Sequence, residues 1–249
     1  MTENWQPFLC NVNDKLASIL LNLALASDAP IPEKPWLLWV WVYMNAPRPD
    51  GLSDGAEAPT LYKIEDALTP RILERCKGMH VGRITTQGRR EFYFYAQTND
   101  GFREAVSAAM AEFREYRFDF GDQEDRLWDQ YLKVLYPSED ELQRISNRDV
   151  LAALEKNGNV ASLPRPVQHW IFFPSDDTRD LFKVAAESAG FEIDSVYEVE
   201  NKESRFAICV QKIQAVDSPA IDTTVLKLFH LAREHRGEYD GWETQVVTQ

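Results

Sequence analysis

The sequence predicts an α+β protein of two tandem ferredoxin-like sandwiches, each a βαββαβ unit with an antiparallel sheet, plus an N-terminal β-hairpin. Two observations carry this. The order strand, helix, strand, strand, helix, strand can be read twice along the chain, and a proline followed by an acidic run, Pro137 and Ser138–Glu141, falls between the two readings. The expected division is a domain at 1–140 and another at 141–249. Right-handed crossovers would set both helices of a unit on one sheet face, with its first and last strands antiparallel but not adjacent.

The elements follow in order. "WQPFLCNV" and "LASILLNLAL" around Asn13-Asp14-Lys15 read as the extra hairpin. "PWLLWVWVYM" (35–44) is an apolar, aromatic strand bounded by proline, and a Pro/Asp/Gly-rich loop follows it. In "TLYKIEDALTPRILERC" (60–76), Leu61, Ile64, Leu68, Ile72 and Leu73 recur at helical spacing, and Pro70 predicts a kink or a break. "HVGRITT" and "REFYFYA" flank Gln87-Gly88-Arg89 as a hairpin, with Arg89 and Arg90 as a solvated tip. A helix is predicted over 100–116 and a closing strand at "RFDF" (117–120).

The second unit opens with a preliminary helix over 147–158, then the strand "VQHWIFFP" (167–174). The helix over 176–190 begins with acids and ends in glycine. "FEIDSVYEVE" and "RFAICVQKI" make a hairpin around Asn201-Lys202-Glu203. A helix at 219–237 has Pro219 at its entry, and the last strand runs from Gly237 to Val247 in "GEYDGWETQVV".

Composition bounds the function. The chain has 249 residues, 44% hydrophobic, with a formal net charge of −13: −5 over 1–137 and −8 over 138–249. Such a surface repels phosphate backbones and favours a basic partner. No apolar run is long enough to span a membrane, and the start has neither the basic nor the apolar region of a secretory signal. Three scattered cysteines, Cys10, Cys76 and Cys209, fit a reducing cytoplasm better than a disulfide framework.

Chemistry-bearing motifs are sparse. The four histidines have no metal-ligand spacing, and CxxC, HExxH, GxSxG and a Gly-rich phosphate loop are all missing, so no catalytic, cofactor-binding or metal residue is assigned. The acids Asp119, Asp122, Glu124, Asp125 and Asp129 lack the glycine and terminal glutamate of a calcium loop and read as a solvated connector. Trp39, Trp41 and Tyr43 share one face of their strand, and "GRREFYFYA" resembles an RNA-stacking strand. Net acidity and a missing glycine argue against RNA, and the same rings could instead be buried under the N-terminal hairpin or the other domain. A small-molecule or enzymatic site between the domains, lined by His80, Arg83 or His169, is a further alternative.

The remaining polar oddities cluster at strand entrances. "LPRPVQHWIFFP" supplies Arg165, His169 and Trp170, and "YDGWE" supplies Asp240 and Trp242. Gly241 permits a bulge or a positive φ that turns Trp242 onto a face it would otherwise miss. These five, with Asp176, Asp177 and Asp180 expected nearby, form the candidate partner-binding notch.

Those same stretches, with "VLAALEKNG", "AAESAGFEI" and "HRGEYDGWETQVV", resemble the family of regulators of ribonuclease E activity B over about residues 145–247. The first half, through "WQPFLCNV", "IEDAL", "VGRITTQGRREFYFY" and "WDQYLKVLYP", looks like a bacterial domain family of unknown function found fused to such regulators. The resemblance implies a ferredoxin-like α+β regulator half. It also implies a non-catalytic cytoplasmic protein that restrains or redirects RNA decay by binding the endonuclease's non-catalytic region. A basic, arginine-rich scaffold is then the expected partner.

Overall fold

The chain starts with the hairpin: β1 (Trp5–Val12) and β2 (Lys15–Asn22) pair antiparallel across Asn13 and Asp14. This arrangement belongs to a computed structural model that describes residues 2–200 and 204–248. A 3-10 turn (Leu23–Ser27), β3 (Trp36–Tyr43), α1 (Ala58–Cys76), β4 (Gly78–Thr86), β5 (Arg89–Ala96), α2 (Phe102–Met110) and β6 (Phe118–Glu124) follow, then a π-helical turn at Gln130–Leu135. The second set is α3 (Glu139–Lys156), β7 (Arg165–Phe173), α4 (Asp176–Ser188), β8 (Glu192–Glu198), β9 (Phe206–Gln214), α5 (Ser218–Glu234) and β10 (Glu238–Glu243). The molecule is mixed α+β, with a six-stranded sheet in order β1-β2-β4-β5-β3-β6 and a four-stranded one in order β10-β7-β9-β8. Every neighbouring pair is antiparallel. Two units divide at residues 138 and 139.

In the first unit both helices lie on one sheet face. Leu38, Val40 and Val42 of β3 and Phe92 and Phe94 of β5 form one core with Leu61, Ile64, Leu68 and Ile72 of α1 and Val106 and Ala109 of α2. Alternation along the strands sends Tyr95 to the opposite face. There Trp128 stacks on the Tyr95 ring at 4.0 Å, and Tyr131 meets Trp128 edge-on. Tyr131 Oη–H donates to the Asn22 carbonyl (2.7 Å), which fixes the π-helical turn over the sheet.

The structure corrects several expectations. The first and last strands of each unit are direct neighbours, β3 with β6 and β7 with β10, because the second crossover returns the chain to the one free edge of the first strand. Pro70 does not break α1, which stays a single helix. It points to solvent, as does Asp66, whose freed carbonyl can meet water, while the buried stripe anchors the helix on both sides of the proline. α2 stops at Met110 rather than Tyr116, since the chain must turn to bring Arg117 O to Tyr43 N (2.9 Å) and start β6. α3 starts at Glu139, eight residues before the predicted 147. β10 ends at Glu243; beyond it Val247 O accepts from Val160 N (2.8 Å). The N-terminal hairpin lengthens the sheet through β2–β4 pairing instead of covering its face. The tip at Asn201-Lys202-Glu203 lies outside the described residues.

Nor are Arg89 and Arg90 a solvated pair. Gln87 and Gly88, both at positive φ, form the two-residue turn alone. Arg89 stacks over Trp41 at 4.1 Å, and Arg90 on the next pleat points into the protein with 4% exposure.

Candidate functional site

β7 places the predicted residues by simple alternation. Arg165, Val167, His169, Ile171 and Phe173 face the helices and are buried, whereas Pro166, Gln168 and Trp170 face the other way. β10 pairs with β7 through Tyr239–Ile171, Gly241–Trp170 and Trp242–His169, leaving Asp240 as the extra residue of a β-bulge. In a regular strand, Tyr239 and Trp242 would face opposite sides. The bulge, with Gly241 at φ 135°, puts both into the core with Leu154, Val167 and Ile221.

Arg165 is a clamp beneath the surface. Its Nη1 donates to the carbonyls of Val160 (3.2 Å) and Leu163 (3.1 Å), and its Nη2 to Asn159 Oδ1 (2.6 Å). The same Oδ1 accepts from Val247 N at 3.1 Å, so one guanidinium closes the turn before β7 and, through Asn159, holds the final segment.

His169 is fully buried and shares a 2.8 Å hydrogen bond between Nδ1 and Tyr239 Oη. Burial, with a smaller push from Lys212, lowers its pKa to about 3, so it is a neutral core group at neutral pH. Trp242 donates from Nε1 to Asn147 Oδ1 (2.8 Å), and Asn147 Nδ2 donates on to Asp222 Oδ1 (2.8 Å). The indole is thus an inward wedge with its one polar atom satisfied.

Trp170 and Asp240 sit differently. Trp170 is half-buried on the sheet face away from α4 and α5, with the Tyr197 hydroxyl near its indole, and Asp240 is exposed. Between β10 and α3 lies a groove of about 270 Å³ lined by Gln143, Asn147, Trp170, Asp240, Trp242 and Glu243. Three of the eight predicted residues therefore meet at one surface feature, with Arg165 and His169 behind it. Asp176, Asp177 and Asp180 are exposed on the first turns of α4, past the C-terminal end of β7. A nine-residue strand spans about 30 Å, so they and Arg165 mark opposite ends of it.

Sequence reasoning missed Asn147, Tyr239, Tyr197 and Glu243 as parts of this site. Asn147 had a visible signal: it occupies an apolar position of the stripe Asn147, Val150, Leu151, Leu154 on α3, where an amide demands a buried partner. The partners of the other three depend on the bulge and on cross-strand pairing.

The imidazole and the thiol in this corner are held in their neutral forms. The buried imidazole is neutral and turned inward. Cys209, opposite Trp170 on β9, is buried with its thiol pKa pushed up to about 11, chiefly by burial, so it is not a thiolate nucleophile. Among the described residues no group of three His, Cys, Asp or Glu could hold a metal ion, and no helix is long and apolar enough to cross a membrane.

Comparison with known proteins gives the two halves separate relatives. Residues 3–136 match the model of a family of unknown function, DUF695, and residues 144–244 match that of Regulator of ribonuclease activity B. A protein of Shewanella denitrificans called Regulator of ribonuclease activity B is 25% identical over 107 residues, which is 42% of this chain and 83% of that one. A crystal structure of an unknown protein from Galdieria sulphuraria covers 86% of this chain and 99% of its own at 11% identity, but its TM-score of 0.22 is too low to bear on the fold. More than half of the chain thus belongs to the DUF695 family, and the remainder carries a Regulator of ribonuclease activity B domain at 144–244.

Proposed function

We propose that this chain regulates a ribonuclease by protein–protein contact, without chemistry of its own, and that the groove beside β10 is where its second unit takes hold. The observation that carries the reading is the pairing of Trp170 with Asp240 and Glu243 on an edge strand whose interior is locked by Trp242, His169 and Arg165. An aromatic set among carboxylates, over a rigid core, has the character of an interface anchor. The family match directs the choice of target.

The partner we infer is a basic, extended segment of a ribonuclease E-type endonuclease, met in the bacterial cytoplasm. β10 offers main-chain groups on its outer edge, with Glu238, Asp240 and Glu243 along it. An extended arginine-rich chain could add there as a strand and satisfy both. Asp176, Asp177 and Asp180 would extend the acidic surface for a long partner. Both units are read as ferredoxin-like sandwiches, the second offering the sheet edge.

The test is binding of the purified full chain to the basic non-catalytic region of such an endonuclease, followed by anisotropy, with RNA cleavage as a second readout. Asp240→Lys should weaken binding by about tenfold or more, because it sets like charges against each other. Trp170→Ala should cost a similar factor as loss of an anchor. If both variants bind and restrain the enzyme as the parent does, the groove is not the contact.

A further inference from the structure

The first unit holds an arginine that its own fold leaves unfinished. Arg90 is 4% exposed, yet it makes no ion pair with a carboxylate among the described residues. Its Nε donates to Thr85 Oγ1 (3.1 Å) and its Nη2 reaches Ser53 Oγ (3.4 Å), while Nη1 is buried without a partner. A guanidinium is always charged, and burying it uncompensated is costly. Arg83 stands beside it: both guanidinium carbons lie 5.0 Å from the centroid of the Tyr62 ring. Two like charges held over one ring repel, and Glu65, paired with Arg83 and acting on Arg90 through space, is one negative group set against two positive ones.

The room for that group exists. A cavity of about 270 Å³ is lined by Arg48, Ser53, Tyr62, Arg83, Thr85 and Arg90. The carboxylates nearby are already engaged elsewhere: Glu65 pairs with Arg83, and Asp50 pairs with Arg48 at 2.5 Å. Arg90 feels Glu65 only at a distance and is left without an ion pair of its own, in a protein whose net charge is −13.

We propose that this cavity binds a small phosphate-bearing molecule, with Arg90 Nη1 as its innermost donor and the Arg83 and Arg48 guanidiniums at its flanks. The donor set favours a tetrahedral over a planar anion. Arg90 spends its Nε–H on Thr85 and one Nη2–H on Ser53, so three of its five N–H groups, two on Nη1 and one on Nη2, are still open to a ligand. These N–H groups meet hydroxyls and guanidiniums arriving from β4, α1 and the loop through Ser53, and donors from so many elements suit the spread oxygens of a phosphate better than the two of a flat carboxylate. The site lies wholly within the first unit and is independent of the groove on the second.

Calorimetric titration of the full chain with inorganic phosphate at low ionic strength tests it, with succinate and a short unphosphorylated oligoribonucleotide as parallel arms. The expected result is one saturable site for phosphate and a matching rise in Tm. Arg90→Lys, which keeps the charge and loses the geometry, should weaken binding by about tenfold or more, since a hydrogen bond to a charged group is at stake. Arg48→Ala, half exposed at the rim, should weaken it by about threefold with Tm unchanged. Should Arg90→Lys fail to fold, the guanidinium resonances of Arg90 in the parent must shift on adding phosphate. No saturable phosphate heat, tighter binding of succinate or of the oligonucleotide, or phosphate binding unaltered in Arg48→Ala with static Arg90 resonances would each overturn the proposal.

Discussion

The buried imidazole of His169 gives the protein a defined response to acid. Its folded pKa, about 3, lies below the ordinary 6.5, so the unfolded chain takes up a proton that the native state refuses. The stabilisation is complete above pH 6.5 and declines as pH falls towards 3, by up to about 1.4 kcal/mol per pH unit. His80, whose pKa burial lowers to about 4, acts in the same direction. Tm should therefore drop between pH 7 and pH 5, and His169→Gln should flatten part of that slope, as thermal melts across the range will show. Trp242 matters through volume. Trp242→Ala should destabilise by about 3–5 kcal/mol in urea titration, leaving a cavity and an unpaired Asn147 carbonyl. The residue types that build this corner were legible in the sequence, but the side each one faces was not. β7 carries large apolar groups on both faces, Val167, Ile171 and Phe173 on one and Trp170 and Phe172 on the other, so no polar–apolar alternation marked His169 as inward.

Among the elements, the bulge in β10 and the connector after β6 do the most positioning. Gly241→Ala should destabilise by about 1–2 kcal/mol even though open space surrounds the site, because φ 135° is a conformation that L-residues resist. A conformational cost of that size should appear in denaturant midpoints with little change in m. In the connector, Asp125 accepts from Tyr95 Oη (2.5 Å), Asp129 N (2.9 Å) and Gln130 N (3.0 Å). Burial alone would raise its pKa, but these hydrogen bonds hold it below the usual carboxylate value. Its contribution is present above about pH 4 and is lost as pH falls through the lowered value. Asp125→Ala should cost about 1–3 kcal/mol and loosen the Trp128–Tyr131 cover, readable in tryptophan fluorescence. The number and type of elements followed from hydrophobic period and turn residues: Gly88 with Gln87 marked the β4–β5 hairpin, and the acids at 176 and 177 and Pro219 marked the starts of α4 and α5, where the structure adds Ser175 and Asp217 as caps. Element ends were less legible, because the pattern that carries Phe113 towards the core persists past the point where the backbone leaves the helix.

For the whole molecule, charge is the property on which the proposed contact rests. Residues 138–249 carry 20 Asp/Glu against 12 Lys/Arg, so association with a basic segment should weaken several-fold as salt rises towards physiological levels, where screening acts over about 8 Å. Anisotropy at two ionic strengths checks this, and a salt-independent affinity would count against an electrostatic contact. At this scale the tally of charges concealed Arg90, since a composition says nothing about which single cation is enclosed.

The odd residue in β10 has a last consequence. A smooth, uncharged outer strand invites copies of the same protein to line up along it without limit. Here Asp240 interrupts the ladder and Glu238 and Glu243 flank it, so a second copy arriving at that rim would present carboxylate to carboxylate. The rim can thus stay open to a cationic stranger while refusing its own kind.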